Sequence, residues 1–184
     1  FSNSSVNTVY SFSYTDPYYT LDGVSRSFSA FIRSTESDDA NITEYDIETI
    51  GGNVGFGIPI NEFDSIGASI GIEDTTIDTN QFTAVEILDF VAENGASYSV
   101  LRGGLSWSHD TRNKTIFPDR GVKQSASSEI GLPGGDLQFY KLRYDHQWYQ
   151  PMTDNLTFLL QGNLGYGDGL GNTNELPIFE NFFA

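Results

Sequence analysis

The sequence predicts an all-β fold: an antiparallel, up-and-down meander that forms part of a transmembrane β-barrel, with one short helix in an outer loop. Three observations support this. Polar and apolar side chains alternate with period two, the alternating segments are longer than ordinary soluble strands, and the connecting segments differ in charge between the two ends of the predicted sheet.

Composition excludes several function classes. The chain has 184 residues, no cysteine and a formal charge of −16, and aromatic residues make up 14% of it. The absence of cysteine excludes a disulfide scaffold and a thiolate metal site, and the acidic balance argues against nucleic acid as a partner. No catalytic residue, cofactor or metal site is predicted. The sequence starts at Phe1 without a basic or apolar leader, so we expect a piece of a longer chain.

Period-two alternation marks each predicted strand. In the segment 156–166, Phe158 and Leu164 lie on an apolar face, whereas Gln161 and Asn163 lie on the opposite face. The same pattern predicts eight strands, at roughly 6–16, 25–34, 45–58, 65–77, 97–110, 121–132, 137–150 and 156–167.

Turn-forming residues separate these strands, and one connection contains a helix. The Asp16-Pro17 dipeptide and Pro151 are expected at strand ends, where the missing proline N–H breaks no ladder hydrogen bond. The segment 83–93 instead has apolar residues at helical spacing, followed by a helix-terminating Gly95. It predicts a short amphipathic helix, either a plain loop helix or a lid over the outer mouth of the barrel.

Strand length and strand charge favour a membrane barrel over a soluble sandwich. The predicted strands have 10–14 residues, whereas soluble strands usually have about 5–6 and a tilted membrane strand needs about 9–11. Aromatic residues of the apolar face are expected to contact lipid: Tyr10, Tyr14, Tyr140, Tyr144, Trp148 and Tyr166. The polar face carries charges that a membrane barrel keeps in its lumen: Arg102, Lys123, Glu129, Lys141, Arg143 and Asp145.

The connections differ in charge between the two ends. One end holds the basic residues Arg112, Lys114 and Arg120. The other end holds no basic residue and 12 acidic ones: Glu36, Asp38, Asp39, Glu44, Asp78, Glu86, Asp89, Glu93, Asp136, Asp168, Glu175 and Glu180. We place the acidic loops outside, where divalent cations could bridge them to lipopolysaccharide. The group Glu36, Asp38 and Asp39 lacks EF-hand spacing, and we interpret it as a solvated loop.

Two runs near the end of the chain resemble a known family. The segment 165–171, Gly-Tyr-Gly-Asp-Gly-Leu-Gly, and the segment 175–184, Glu-Leu-Pro-Ile-Phe-Glu-Asn-Phe-Phe-Ala, closely resemble the loop after a late barrel strand in BamA-like outer-membrane protein assembly factors. Shorter motifs agree in order and spacing, at 16–19, 58–62 and 110–112. The resemblance covers nearly the whole chain.

The resemblance implies a 16-stranded transmembrane β-barrel, of which residues 1–184 carry about eight consecutive middle strands, the fourth to the eleventh, and the start of a long lumen loop at 168–184. BamA-like proteins fold and insert other β-barrel proteins into the outer membrane of Gram-negative bacteria. They open laterally at the seam between the first and last strands and recruit lipoproteins through periplasmic POTRA domains. Those domains, the seam strands and the Arg-Gly-Phe tip of the loop are absent from this sequence.

In BamA-like proteins the long loop returns inside the barrel, so we expect it to contact charges on the lumen wall. We predict that Asp168 or Glu180 pairs with a lumen base. The candidate residues of the loop and its contacts are Gly165, Tyr166, Gly167, Asp168, Gly169, Glu180, Arg102, Lys141 and Arg143. His109 and His146 predict no hydrolase, because the Ser and Asp that flank His109 point to the opposite face of a strand.

The implied partners are membrane lipid and lipopolysaccharide, nascent outer-membrane proteins, assembly-complex lipoproteins and the remaining barrel strands. Three alternatives stay open. The first is a related translocation barrel, TamA-like or a two-partner secretion pore. The second is a simple eight-stranded outer-membrane barrel acting as an adhesin or small pore, which closure between the strands 6–16 and 156–167 would favour. The third is a secreted, soluble all-β binding module.

Overall fold

The computed structural model describes residues 2–3, 7–36, 45–171, 173 and 175–181. The backbone forms one antiparallel sheet in which each strand pairs with the next along the chain. The elements are β1 Ser2–Asn3, β2 Asn7–Asp16, β3 Ser25–Glu36, β4 Tyr45–Pro59, β5 Asp64–Thr79, α1 Val85–Asn94, β6 Ser97–Asp110, β7 Gly121–Leu132, β8 Phe139–Thr153, β9 Leu156–Gly169 and a 3₁₀ turn Ile178–Glu180. The predicted antiparallel meander with one short helix is confirmed.

The sheet is open, as expected of part of a larger barrel, and one of its details differs from expectation. Among the described residues no pairing joins β9 to β1 or β2, so the closure typical of a simple eight-stranded barrel is not seen. The strand β8 continues past Pro151, which was expected to end it. The register shifts between Pro151 and Thr153, and proline is tolerated at such an irregularity because no regular ladder bond is required of it there.

The register assigns the strand residues to two faces. The face we call the lumen face carries Arg102, which lies opposite Gly71 and Gly131, and Lys141, which lies opposite Glu129. All six charges predicted for the lumen share it. The other face, the lipid face, carries exposed apolar side chains such as Phe12, 67% exposed, and Leu164, 70% exposed. No helix in the described part of the chain is long and apolar enough to cross a membrane.

One basic residue lies on the lipid face, at the turn end of β3. The guanidinium of Arg26 stands 4.0 Å from the centre of the Tyr19 ring and 5.1 Å from that of Phe28. Arginine on the lipid face costs little near the membrane boundary, where the penalty falls to about 0–1 kcal/mol. This position therefore agrees with the general separation of charge and apolar surface.

The buried core lies at the loop end of the lumen face. Ile77, Val100 and Phe139 project from β5, β6 and β8, and Ile87 and Phe90 of α1 pack against them. The helix ends at Gly95, whose φ of 89° suits glycine and whose N–H donates to the carbonyl of Val91 at 2.8 Å. Of the apolar residues predicted for the packed face of α1, Ile87 is buried against the strands and Ala84 and Val91 are partly buried, whereas Leu88 is exposed.

The connection between β6 and β7 requires glycine at its end. Gly121 has a φ of 106°, and an added Cβ would lie 2.4 Å from the carbonyl oxygen of Thr111. In the same turn the guanidinium of Arg112 donates to both carboxylate oxygens of Asp110, at 2.9 and 2.7 Å. Asp110 is the last residue of β6, so this bidentate pair lies at the point where the strand meets the turn.

We expect Phe139→Ala to destabilise the full-length protein that carries this segment by about 3–5 kcal/mol, because it removes a fully buried ring and leaves a cavity. Phe139 is 0% exposed. Urea unfolding in lipid vesicles measures the change. Ile116→Ala is the control, since Ile116 is 74% exposed in a turn, and should change stability by no more than about 0.5 kcal/mol. Equal effects of the two substitutions would contradict the assignment of the core.

Candidate functional site

The candidate site is a cluster of charges on the lumen face just below the buried core. Arg102 of β6 is its centre, Glu73 of β5 and Glu129 of β7 flank it, and Lys141 lies on β8. Glu180 reaches it from the 3₁₀ turn of the loop that follows β9. Five residues from five separate elements therefore meet at one place.

The Arg102 guanidinium contacts three carboxylates. It donates to Glu129 Oε1 through Nη1 and to Glu180 Oε1 through Nη2, and its Nε lies 2.9 Å from Glu73 Oε2. The side chain is 19% exposed. Arginine suits this position because its planar group has five donors and stays charged even when it is largely buried.

Both carboxylate oxygens of Glu180 are held. One accepts from Arg102, and the other accepts from Lys141 Nζ at 2.9 Å. Glu180 is only 16% exposed at its side chain. A hydrogen bond to a charged group typically contributes about 1.5–3 kcal/mol. The pairs therefore attach the loop to the wall formed by β6 and β8.

The surroundings keep Glu180 ionised. Burial alone would raise the pKa of its carboxyl, but the hydrogen bonds and positive charges of Arg102 and Lys141 outweigh burial and hold the pKa below its ordinary 4.5. The ionised form accepts hydrogen bonds at both oxygens, whereas a protonated carboxyl would lose one of these charge-assisted bonds. The attachment is therefore fully formed at neutral pH.

Apolar contacts place the loop over the cluster. The Phe179 ring packs edge-on against Phe90 of α1, with centroids 5.5 Å apart, and lies 6.2 Å from the Tyr45 ring. Leu176 lies above Gly167 of β9, where an added Cβ would stand 3.4 Å from Leu176 Cδ2 and 2.9 Å from a backbone oxygen. Glycine at this position lets the loop approach the strand closely.

Hydrogen bonds tie the start of the loop to β8. The N–H of Leu170 donates to the carbonyl of Gln138 at 2.9 Å. The N–H of Gln138 donates to the Thr173 hydroxyl at 3.0 Å. The loop thus turns back over Gln138, the residue before β8, before it reaches the charged cluster.

The candidate residues divide between the two faces. Gly165, Gly167 and Gly169 lie on the lumen face, opposite Arg143, Lys141 and Phe139 respectively. Tyr166 and Asp168 lie on the lipid face, where their partners across the strand pair are Leu142 and Tyr140.

The predicted position of Asp168 is therefore wrong. This residue was expected at the start of the lumen loop, but β9 extends to Gly169, and strict alternation turns Asp168 toward the lipid face. Its carboxylate accepts from the N–H of Gly169 at 2.8 Å. Of the two predicted acids, Glu180 is the one that the structure brings to the lumen bases Arg102 and Lys141.

Glu73, Glu129 and Phe139 are the parts of the site that the candidate set lacked, although Glu129 was predicted as a charge of the lumen face. Glu73 has the same strand parity as Ile77, and Phe139 the same as Lys141, so alternation places each on the lumen face. Alternation identifies the face but not the position along the strand. The register, in which Glu73 lies opposite Val100, is needed to bring Glu73 beside Arg102.

The two histidines lie outside the cluster, and each has a polar partner. His109 Nδ1 lies 2.9 Å from Asp64 Oδ1, and His146 Nδ1 lies 3.2 Å from the Gln124 amide. In the part of the chain that the structure describes, no three histidine or acidic side chains are arranged to hold a metal ion. Asp38 and Asp39 of the acidic loop group lie outside the described residues, as does the side chain of Glu36.

Comparison with known proteins agrees with this architecture. The Omp85 superfamily domain matches residues 1–184. The outer membrane protein assembly factor BamA of Neisseria meningitidis serogroup B is 29% identical over 184 residues, covering 95% of this chain and 23% of the relative. The crystal structure of BamA from Haemophilus ducreyi lacking POTRA domains 1–3 superposes with a TM-score of 0.86 and 22% identity, covering 98% of this chain and 36% of that one.

Long antiparallel strands with an apolar outer face, a charged inner face and a loop folded against the inner face define the wall of a transmembrane β-barrel. The protein belongs to the Omp85 superfamily and is integral to the outer membrane. The chain spans about a quarter of the length of its Neisseria relative and about a third of the Haemophilus structure.

We expect Glu180→Ala to loosen the loop without unfolding the wall. Loss of the charge-assisted hydrogen bonds should cost about 1.5–3 kcal/mol, which corresponds to roughly ten- to hundredfold faster hydrogen exchange in the peptide 175–181. Glu175→Ala is the matched control, because Glu175 is an exposed acid of the same loop. Unchanged exchange in the Glu180 variant would show that the cluster does not hold the loop.

Acid should release the same loop. Because the folded pKa of Glu180 is lowered, its stabilisation is complete above its ordinary 4.5 and is lost as pH falls through the lowered value. Hydrogen exchange of 175–181, corrected for intrinsic rates, should be flat from pH 7 to about 5 and rise below about 4. The Glu180→Gln variant should show no such step, and a step of equal size in that variant would assign the transition to another group.

Proposed function

We propose that the chain forms the central wall of a barrel that folds and inserts other β-barrel proteins into the outer membrane. The observation that carries the proposal is the attachment of the loop by Glu180 to Arg102 and Lys141 on the lumen wall. A loop attached to the lumen wall occupies space that a simple pore would leave to water, which suits an assembly factor better than a simple pore. The similarity to BamA along nearly the whole chain supports the same function.

The proposed substrates are nascent outer-membrane β-barrel proteins, and the proposed partners are assembly-complex lipoproteins recruited through periplasmic POTRA domains. The resemblance assigns substrate entry to the seam between the first and last strands of the barrel. In this proposal the strands β2–β9 do not receive the substrate. Their role is to hold the loop at a fixed depth in the lumen. Wall and loop would move as one body when the seam opens.

The open edge of the sheet supports the proposal that further strands complete the barrel. The last strand β9 has no neighbour on its outer side among the described residues. Unpaired backbone N–H and C=O groups within lipid cost several kcal/mol each, so membrane sheets close into barrels. We propose that β9 and the β1–β2 edge pair with the remaining strands of the barrel.

The different charges at the two ends of the wall support one orientation in the membrane. The turn end carries Arg112, Lys114 and Arg120, and the opposite end carries acidic loops and α1. Outer-membrane barrels have short periplasmic turns and longer outer loops. We propose that the acidic end faces outward, toward lipopolysaccharide and its divalent cations.

Depletion of the full-length protein in its own bacterium tests the proposed function. We expect the levels of several unrelated β-barrel proteins to fall together in the outer-membrane fraction and to recover when the wild-type gene is supplied. Supplying Arg102→Ala should restore them less completely than Arg102→Lys, because lysine keeps a positive charge within reach of the carboxylates.

Two other results of the depletion experiment would contradict the proposed function. Loss of one secreted protein with normal levels of other barrels would indicate a two-partner secretion pore. Unchanged levels of every outer-membrane barrel would contradict an assembly function altogether.

A further inference from the structure

A groove runs along the lipid face over β7. Its floor consists of the small side chains of Ala126 and Ser128, and it encloses about 500 Å³. Its walls are large apolar side chains of the adjacent strands β6 and β8, continued on β9: Leu105, Trp107, Leu142, Tyr144, Leu164 and Tyr166.

The strand register fixes the shape of this groove. Ala126 lies opposite Trp107 on one side and Tyr144 on the other. Ser128, one row further along β7, lies opposite Leu105 and Leu142. Adjacent strands are about 4.8 Å apart, so the two walls stand roughly 10 Å apart at their backbones. Between large side chains this leaves a channel wide enough for one extended hydrocarbon chain.

Larger side chains follow the small residues of the floor in both directions along β7. On the loop side the next residue of β7 on the lipid face is Ile130, a large side chain opposite Tyr140. On the turn side the next residue is Gln124, whose amide lies 3.2 Å from Nδ1 of His146. The groove is thus mainly apolar, with Ser128 on its floor, and it ends at a polar pair on the side of the periplasmic turns.

The protein's own side chains do not fill the groove. Leu105 is 64% exposed and Leu142 is 48% exposed, although both face the groove. Unfilled space beside apolar side chains loses dispersion contacts, so a chain that fills it is favoured. Because this face of an outer-membrane barrel is surrounded by lipid, the groove is continuous with the lipid interface already described.

We propose that the groove binds one acyl chain of a phospholipid, with the polar end of the lipid toward Gln124 and His146. The amide and imidazole offer hydrogen-bonding groups near the level of the lipid esters, one row from Trp148 on β8. The side chains along the walls bury the hydrocarbon. The proposal depends on the membrane location of the lipid face and not on the assembly activity.

Photochemical labelling tests the site. The full-length protein is placed in vesicles of phosphatidylethanolamine and phosphatidylglycerol that contain a phospholipid with a diazirine in its acyl chain. After illumination, labelled peptides are mapped by mass spectrometry. Labelling should be concentrated about fivefold on the groove walls of β6 and β8 relative to the lipid face of β3 and β4.

Filling the floor should abolish this preference. The double variant A126L/S128L should lower groove labelling about fivefold. The matched control is Ala30→Leu, a small residue on the lipid face of β3, opposite Phe12 and Gly52 and away from the groove. Folding of each variant is checked by its heat-dependent migration in gels. A second variant, L105A/L142A, removes the walls and should lower labelling without adding bulk.

Three results would overturn the proposal. Even labelling around the lipid face would show ordinary lipid contact only. Strong groove labelling that survives both double variants would show that the groove is not what binds the chain. Cross-links from the groove to a second copy of the protein, in place of lipid, would make it a protein interface.

Discussion

Alternation along an antiparallel strand is the constraint on which this structure depends. Successive side chains point to opposite faces, so a sequence with period two makes one apolar surface and one polar surface from every strand at once. A lysine or arginine in mid-bilayer costs about 2–4 kcal/mol on the lipid face. The bases Arg102, Lys141 and Arg143 consequently share the lumen face, and acids reach them only from that side.

The lumen face changes from apolar to charged along the strands, and this change determines where the loop docks. Near the loop end Val100 and Ile77 form an apolar core with α1. One step closer to the turns, Arg102 and Glu73 begin the charged cluster. The loop matches this order, because Phe179 packs on the apolar layer and Glu180, the next residue, reaches the charges. Helix, loop and wall therefore stabilise one another at a single level of the barrel.

The sequence was sufficient for the strands, their faces and the helix, because period two and period 3.6 are local patterns. The sequence could predict that Glu180 pairs with a lumen base but not with which one, because its partners lie 78 and 39 residues away along the chain. Asp168 was misplaced because the end of β9 was set two residues too early. As a strand residue it shares the lipid face with Leu164 and Tyr166, two and one steps before it in the alternation. The burial of Phe139 depends on how α1 and the loop dock, which no local pattern contains.

Single-cysteine labelling along β8 tests the central claim most directly. The chain has no native cysteine, so each introduced thiol is unique within this segment. Variants of the full-length protein at positions 140–145, in lipid vesicles, are exposed to a membrane-impermeant maleimide. The account predicts labelling at 141, 143 and 145, on the lumen face, and protection at 140, 142 and 144, on the lipid face. Labelling without alternation, or with the two sets reversed, would contradict it.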